Sequence, residues 1–123
     1  LIEELRCHKN KKADPNVLAD AIRVFLEVSD AFNGRSVTFA GKNVGAFDMQ
    51  FLKRLPEWWR IRHKHRYIDV GNLWWRPEDD DCLPDLPECV NRAGLGERQF
   101  HDAVSDCRAV IECVRAFYKK EGK

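Results

Sequence analysis

An excess of charge of either sign is missing from this sequence: 21 lysines and arginines face 20 acidic residues, a formal net charge of +1. That balance argues neither for nor against a nucleic-acid ligand, because an enzyme that holds one strand end needs only a local basic patch. No apolar run approaches the roughly 18 residues of a membrane span, and no signal peptide is visible. Internal repeats and long flexible linkers are also absent. The cysteines Cys7, Cys82, Cys89, Cys107 and Cys113 are odd in number and form no C-x-x-C. This argues against a disulfide framework and a zinc ribbon, and predicts reduced thiols in a cytoplasmic compartment. The chain also lacks an initial Met. It opens in Leu1-Ile2-Glu3-Glu4-Leu5, which reads as the middle or end of an element and points to sequence upstream.

What is present predicts one α/β domain with a modest core. Asp14-Pro15 supplies an N-cap and a first helical residue. Val17, Leu18, Ala21, Ile22, Phe25, Val28 and Phe32 follow at helical spacing, closed by Asn33-Gly34. Residues 36–40 predict a short buried strand, residues 46–55 a second helix stopped by Pro56, and residues 66–70 another strand. After an acidic, Pro-rich stretch, residues 85–93 predict a short helix closed by Gly94, and residues 103–120 the last helix.

Two aspartates stand out. At about 100° per residue, Phe47, Phe51, Leu52 and Leu55 make the apolar face of the second helix, with Asp48 in its middle. The last helix carries a stripe of Ala103, Cys107, Val110, Ile111, Val114, Phe117 and Tyr118, with Asp106 at its edge. An inward carboxylate needs a partner. An arginine or backbone N–H groups would serve for either one. For two together a hard cation such as Mg²⁺ or Mn²⁺ would also serve. His101, five residues before Asp106, is either a solvated loop or cap residue or a general base for a water held near that cation.

The run Phe39-Ala40-Gly41-Lys42-Asn43-Val44-Gly45-Ala46-Phe47-Asp48-Met49-Gln50-Phe51-Leu52 resembles the second motif of the DEDDh 3′–5′ exonucleases. His101-Asp102-Ala103-Val104-Ser105-Asp106 resembles their third, H-x-A-x-x-D. Arg66-Tyr67-Ile68-Asp69-Val70, Leu83-Pro84-Asp85-Leu86, Arg92-Ala93-Gly94-Leu95 and the segment Leu5 to Leu18 resemble the family's intervening elements. The similarity therefore spans nearly the whole chain. Asn43 precedes Asp48 by five positions where four is commoner, with Gly45 absorbing the extra residue. The first motif, D-x-E, is absent; in the family it lies upstream of where this chain begins.

The resemblance implies a ribonuclease H-like mixed sheet flanked by helices and truncated at its N-terminus. Lacking the central strand, the chain alone would leave a gap beside residues 36–40, and a partner, homodimer or domain swap is expected to fill it. The resemblance further implies two divalent metal ions, Mg²⁺ or Mn²⁺, held by the D-x-E pair, Asp48 and Asp106. His101 would be the catalytic base, Asn43, Phe47 and Phe51 would contact substrate, and the substrate would be the 3′ end of single-stranded RNA or DNA. The alternative is an inactive nucleic-acid-binding or protein-interaction domain derived from such an enzyme.

Other features stay open. Arg60-Ile61-Arg62-His63-Lys64-His65-Arg66, and Lys9, Lys11 and Lys12, are either solvated surface or a phosphate track. Trp58, Trp59, Trp74 and Trp75 either pack or stack on bases. The spacing of His63, His65, Cys82 and Cys89 matches no familiar zinc pattern.

Overall fold

The computed structural model describes residues 14–29, 35–98, 100 and 102–122. Among them the chain is mixed α/β, with five α-helices and a small parallel sheet of two strands. It divides into two compact units, one of residues 1–36 with 51–62, the other of residues 37–50 with 63–123.

In the first unit, helix α1 spans Pro15–Val28. The Asp14 carboxylate caps it, accepting the Asn16 N–H at 2.9 Å, and Pro15 occupies the first turn where its missing N–H costs nothing. The predicted start is therefore observed. The helix stops at Val28, with Ser29 as C-cap, and the predicted extension to Phe32 lies outside the described residues. Ala19 is buried, whereas Val17, Phe25 and Val28 stay exposed. Arg23 lies 2.7 Å from both Asp20 and Glu27, surface pairs of small energetic weight. The segment 53–62 is a series of tight turns around a short 3₁₀ helix, Trp58–Arg60. A 3₁₀ turn brings residues three apart to one side, and Trp58 and Ile61 are accordingly the buried pair.

In the second unit, β1 (Ala40–Gly41) pairs in parallel with β2 (Ile68–Asp69), in register Ala40 to Ile68 and Gly41 to Asp69. An isolated parallel bridge from Val37 to His63 extends the pairing. The predicted strand 36–40 is less buried than expected: Thr38 and Ala40 are exposed, because only one edge of the segment has a partner strand among the described residues. Helix α2 (Asp48–Leu52) follows β1. Helix α3 (Val70–Leu73) follows β2 with no loop, since Asp69 is both the last strand residue and the N-cap, its side chain accepting the Gly71 N–H. Helices α4 (Leu86–Arg92) and α5 (Ala103–Lys120) agree with the predicted ranges. Gly94, at φ +71°, takes the left-handed conformation that closes α4.

Val70, Trp74, Leu86, Cys89, Val90, Ala109, Val110 and Cys113 form the core of this unit. Trp74 anchors it: its indole N–H donates to the Cys113 carbonyl at 3.2 Å, and Phe117 meets its ring edge-on at 5.8 Å. The buried face of α5 runs through Asp106, Ala109, Val110, Cys113, Ala116 and Phe117, rotated from the predicted stripe. Cys107 and Ile111, expected inside, are exposed. The small residues Ala109 and Cys113 allow α5 to approach α3 and α4 closely, and their modest hydrophobicity concealed that face in the sequence.

Arg92 fastens the loop after α3 to α4. It bonds Asp80 in a two-pronged fashion at 2.6 and 2.7 Å, Glu88 at 2.7 Å and the Trp74 carbonyl at 2.9 Å. The Arg92 guanidinium and the Arg76 N–H hold the Asp80 carboxyl down at about 2. A carboxyl depressed on folding contributes stability above its unfolded pKa and loses it as pH falls through the folded value. Stability should therefore decline from about pH 4 towards pH 2. Asp80→Asn should flatten that limb in denaturant melts taken across the range; an unchanged slope would contradict the ion pair's role.

Candidate active site

The connection from β1 to α2 is a tight turn set by backbone contacts. Asn43 sits at φ +58°, a left-handed conformation that asparagine tolerates better than most residues. Its carbonyl accepts the Phe47 N–H at 3.0 Å, and the Val44 carbonyl accepts the Met49 N–H at 2.9 Å. Val44 and Met49 are buried beneath the turn. Two glycines permit the approach: a Cβ on Gly41 would lie 2.7 Å from the Val44 Cβ, and one on Gly45 would lie 2.6 Å from the Tyr67 ring.

Asp69 ties this turn to the second strand. One carboxylate oxygen accepts the Asn43 N–H at 2.7 Å and the other accepts the Gly71 N–H at 2.8 Å. A single side chain thus fixes both loops at the C-terminal ends of β1 and β2. The sequence pointed to Asp69 only as part of a strand; its signal as a clamp was an Asp two residues before a Gly, a pattern that favours a capped turn.

Asp48 is the first residue of α2 and is exposed. This corrects the expectation that it points into an apolar face. The inward residue is Met49, while Phe47 and Phe51 are 59 % and 57 % exposed. A helix of five residues has too little length for its periodicity to fix a phase, and the buried Val44 and Met49 set it instead.

Asp106 lies in the first turn of α5, where the helix dipole favours a carboxylate. The cap itself is made by Asp102, which accepts the Ser105 hydroxyl at 2.8 Å and the Ser105 N–H at 3.1 Å. These bonds, the hydroxyl first, hold the Asp102 carboxyl below its ordinary value. Asp106 is therefore not needed as a cap. Its Oδ1 is buried and has no hydrogen-bond partner among the described residues. Leaving such an oxygen unsatisfied costs on the order of 1–3 kcal/mol.

Asp48 and Asp106 are brought into reach of one group, the Cys107 thiol. Although the residue is exposed, partial desolvation of its sulfur pushes the thiol pKa up, and Asp48 and then Asp106 push it further by like-charge repulsion. The remaining predicted residues are more scattered. Asn43 is exposed, and its side chain makes no hydrogen bond among the described residues. His101 and Lys9, Lys11 and Lys12 lie outside the described residues. Cys89 is fully buried, its S–H directed at the Val70 and Pro84 carbonyls, and burial lifts its thiol to about 11. No group of three or more His, Cys, Asp or Glu side chains able to hold a metal occurs among the described residues.

Carboxylate oxygens, one of them buried without a partner among the described residues, are the donor type that Mg²⁺ and Mn²⁺ prefer. No family model, curated protein or solved structure matches the chain.

Removing either charge should lower the Cys107 pKa. Asp48→Asn and Asp106→Asn should each speed alkylation of Cys107 by iodoacetamide near pH 8, by about twofold. Peptide mass spectrometry of the modified protein measures this; unchanged rates in both variants would mean that the carboxylates do not share that environment.

Proposed function

We propose that the chain belongs to a metal-dependent 3′–5′ exonuclease domain with a ribonuclease H-like fold, acting on single-stranded nucleic acid. The observation that carries this reading is the buried Oδ1 of Asp106, without a hydrogen-bond partner among the described residues, on a helix whose Cys107 thiol also feels the Asp48 charge. The motif spacing supports it, as does the parallel pairing of the strand that leads to Asp48. Among the described residues β1 pairs along one edge only, which is compatible with a further strand carrying the D-x-E pair.

Asp48 and Asp106 would hold divalent metal. When bound, the metal neutralises the scissile phosphate and stabilises the entering and leaving oxygens. Asp69 keeps Asp48 in position through the Asn43 turn. Asp102 caps α5 and so fixes the first turn that carries Asp106. His101 takes a proton from the attacking water. The water oxygen bonds to phosphorus, the P–O3′ bond breaks, the departing O3′ takes a proton from solvent water, and a nucleoside 5′-monophosphate leaves a strand one residue shorter with a new 3′-hydroxyl. Phe47 and Phe51, exposed beside Asp48 in sequence, would contact the terminal bases, and Asn43 the backbone.

The test uses the full polypeptide with 5′-labelled single-stranded RNA and DNA. With Mn²⁺ or Mg²⁺ we expect stepwise shortening from the 3′ end and release of 5′-monophosphates. Asp48→Asn, Asp106→Asn and His101→Ala should each reduce the rate by about 100-fold or more. Binding without metal-dependent cleavage would contradict the proposal and favour an inactive nucleic-acid-binding domain.

A further inference from the structure

The turn at residues 53–62 keeps a tryptophan in solvent. Trp58 and Ile61 are buried, at 7 % and 4 % exposure, but Trp59, between them in sequence, is 77 % exposed. The 3₁₀ geometry forces this split, since residues 58 and 61 share one side and residue 59 faces away. The Arg60 guanidinium lies 5.3 Å from the Trp59 ring centroid and is itself held 3.0 Å from Glu57. That contact restrains the ring and leaves most of its surface open.

The charge of the segment 53–62 is one-sided. Lys53, Arg54 and Arg62 are exposed and form no ion pair among the described residues. Glu57 is the single acidic residue of the segment and is engaged by Arg60. A protein-docking patch would show several contiguous apolar side chains. Within residues 53–62 Trp59 is the one strongly exposed aromatic, and exposed cations with no ion pair among the described residues precede and follow it in sequence, the chemistry of a site for one base and its flanking phosphates.

We propose that this turn is a stacking platform for single-stranded nucleic acid, with Trp59 taking a base and Lys53, Arg54 and Arg62 the phosphates. The platform rests on the exonuclease reading for its biological setting.

Binding of labelled oligothymidylate to the full polypeptide, followed by anisotropy in EDTA so that no cleavage occurs, tests it. Trp59→Ala should weaken binding about tenfold, and Trp59→Phe should retain most of it. Arg62→Gln should lower the salt dependence by about one released ion. Because Trp59 is exposed, circular dichroism should be unchanged in both tryptophan variants. Wild-type affinity in Trp59→Ala would overturn the platform, as would equal, Trp59-dependent binding of a polyglutamate peptide, which would mark an acidic-peptide site. Cleavage with Mn²⁺ separates the two proposals: an inactive wild type that still binds through Trp59 sinks only the exonuclease, and an active enzyme indifferent to Trp59 sinks only the platform.

Discussion

The carboxylate of Asp69 joins the two loops on which the candidate site is built. It accepts one N–H from the left-handed turn at Asn43 and another from the start of α3. The first bond holds the segment that delivers Asp48; the second begins the helix whose Val70 and continuation, Trp74, enter the core. Because Trp74 in turn bonds the backbone of α5 at Cys113, the helix that presents Asp106 is tied to the same frame. Charge-assisted bonds from backbone N–H groups to a carboxylate are short and directional, so one side chain can set the relation of loops far apart in sequence.

The second governing feature is a division of labour among the acids of α5. Asp102 satisfies the helix N-terminus together with Ser105, which leaves Asp106, one turn later, free of that duty. A carboxylate with a buried oxygen and no donor among the described residues would be a liability in a purely structural helix, where an apolar residue of similar size would serve better. Retaining it there makes sense where a cation or a substrate group supplies the missing interaction. The same logic separates Asp106 from Asp80, whose oxygens are taken by Arg92 and the Arg76 N–H and whose role is to fasten a loop.

Much of the helical framework was legible in the sequence. Asp14-Pro15 marked the start of α1, and apolar periodicity over eighteen residues marked the whole of α5. Gly94 marked the end of α4. The candidate acids were found through motif spacing, but their surroundings were misjudged. The phase of α2 was unreadable because five residues carry no reliable period. The face of α5 was misplaced because the residues in closest contact, Ala109 and Cys113, are small, while the more hydrophobic Ile111 faces outward. Strand β2 stops at Asp69, one residue before the predicted end, because Asp69 caps the next helix. None of the four tryptophans signalled its environment by composition: the 3₁₀ turn buries Trp58 and exposes Trp59.

The central claim is that Asp48 and Asp106 share a divalent cation. Paramagnetic broadening of backbone amide signals by sub-stoichiometric Mn²⁺, in the ¹⁵N-labelled full polypeptide, tests it at the site itself. The account predicts selective loss of signals around Ala46–Met49 and Ala103–Cys107, reversed by Mg²⁺ and absent in Asp106→Asn. Uniform broadening, or selective loss centred on the acidic stretch Glu78–Asp81, would contradict it.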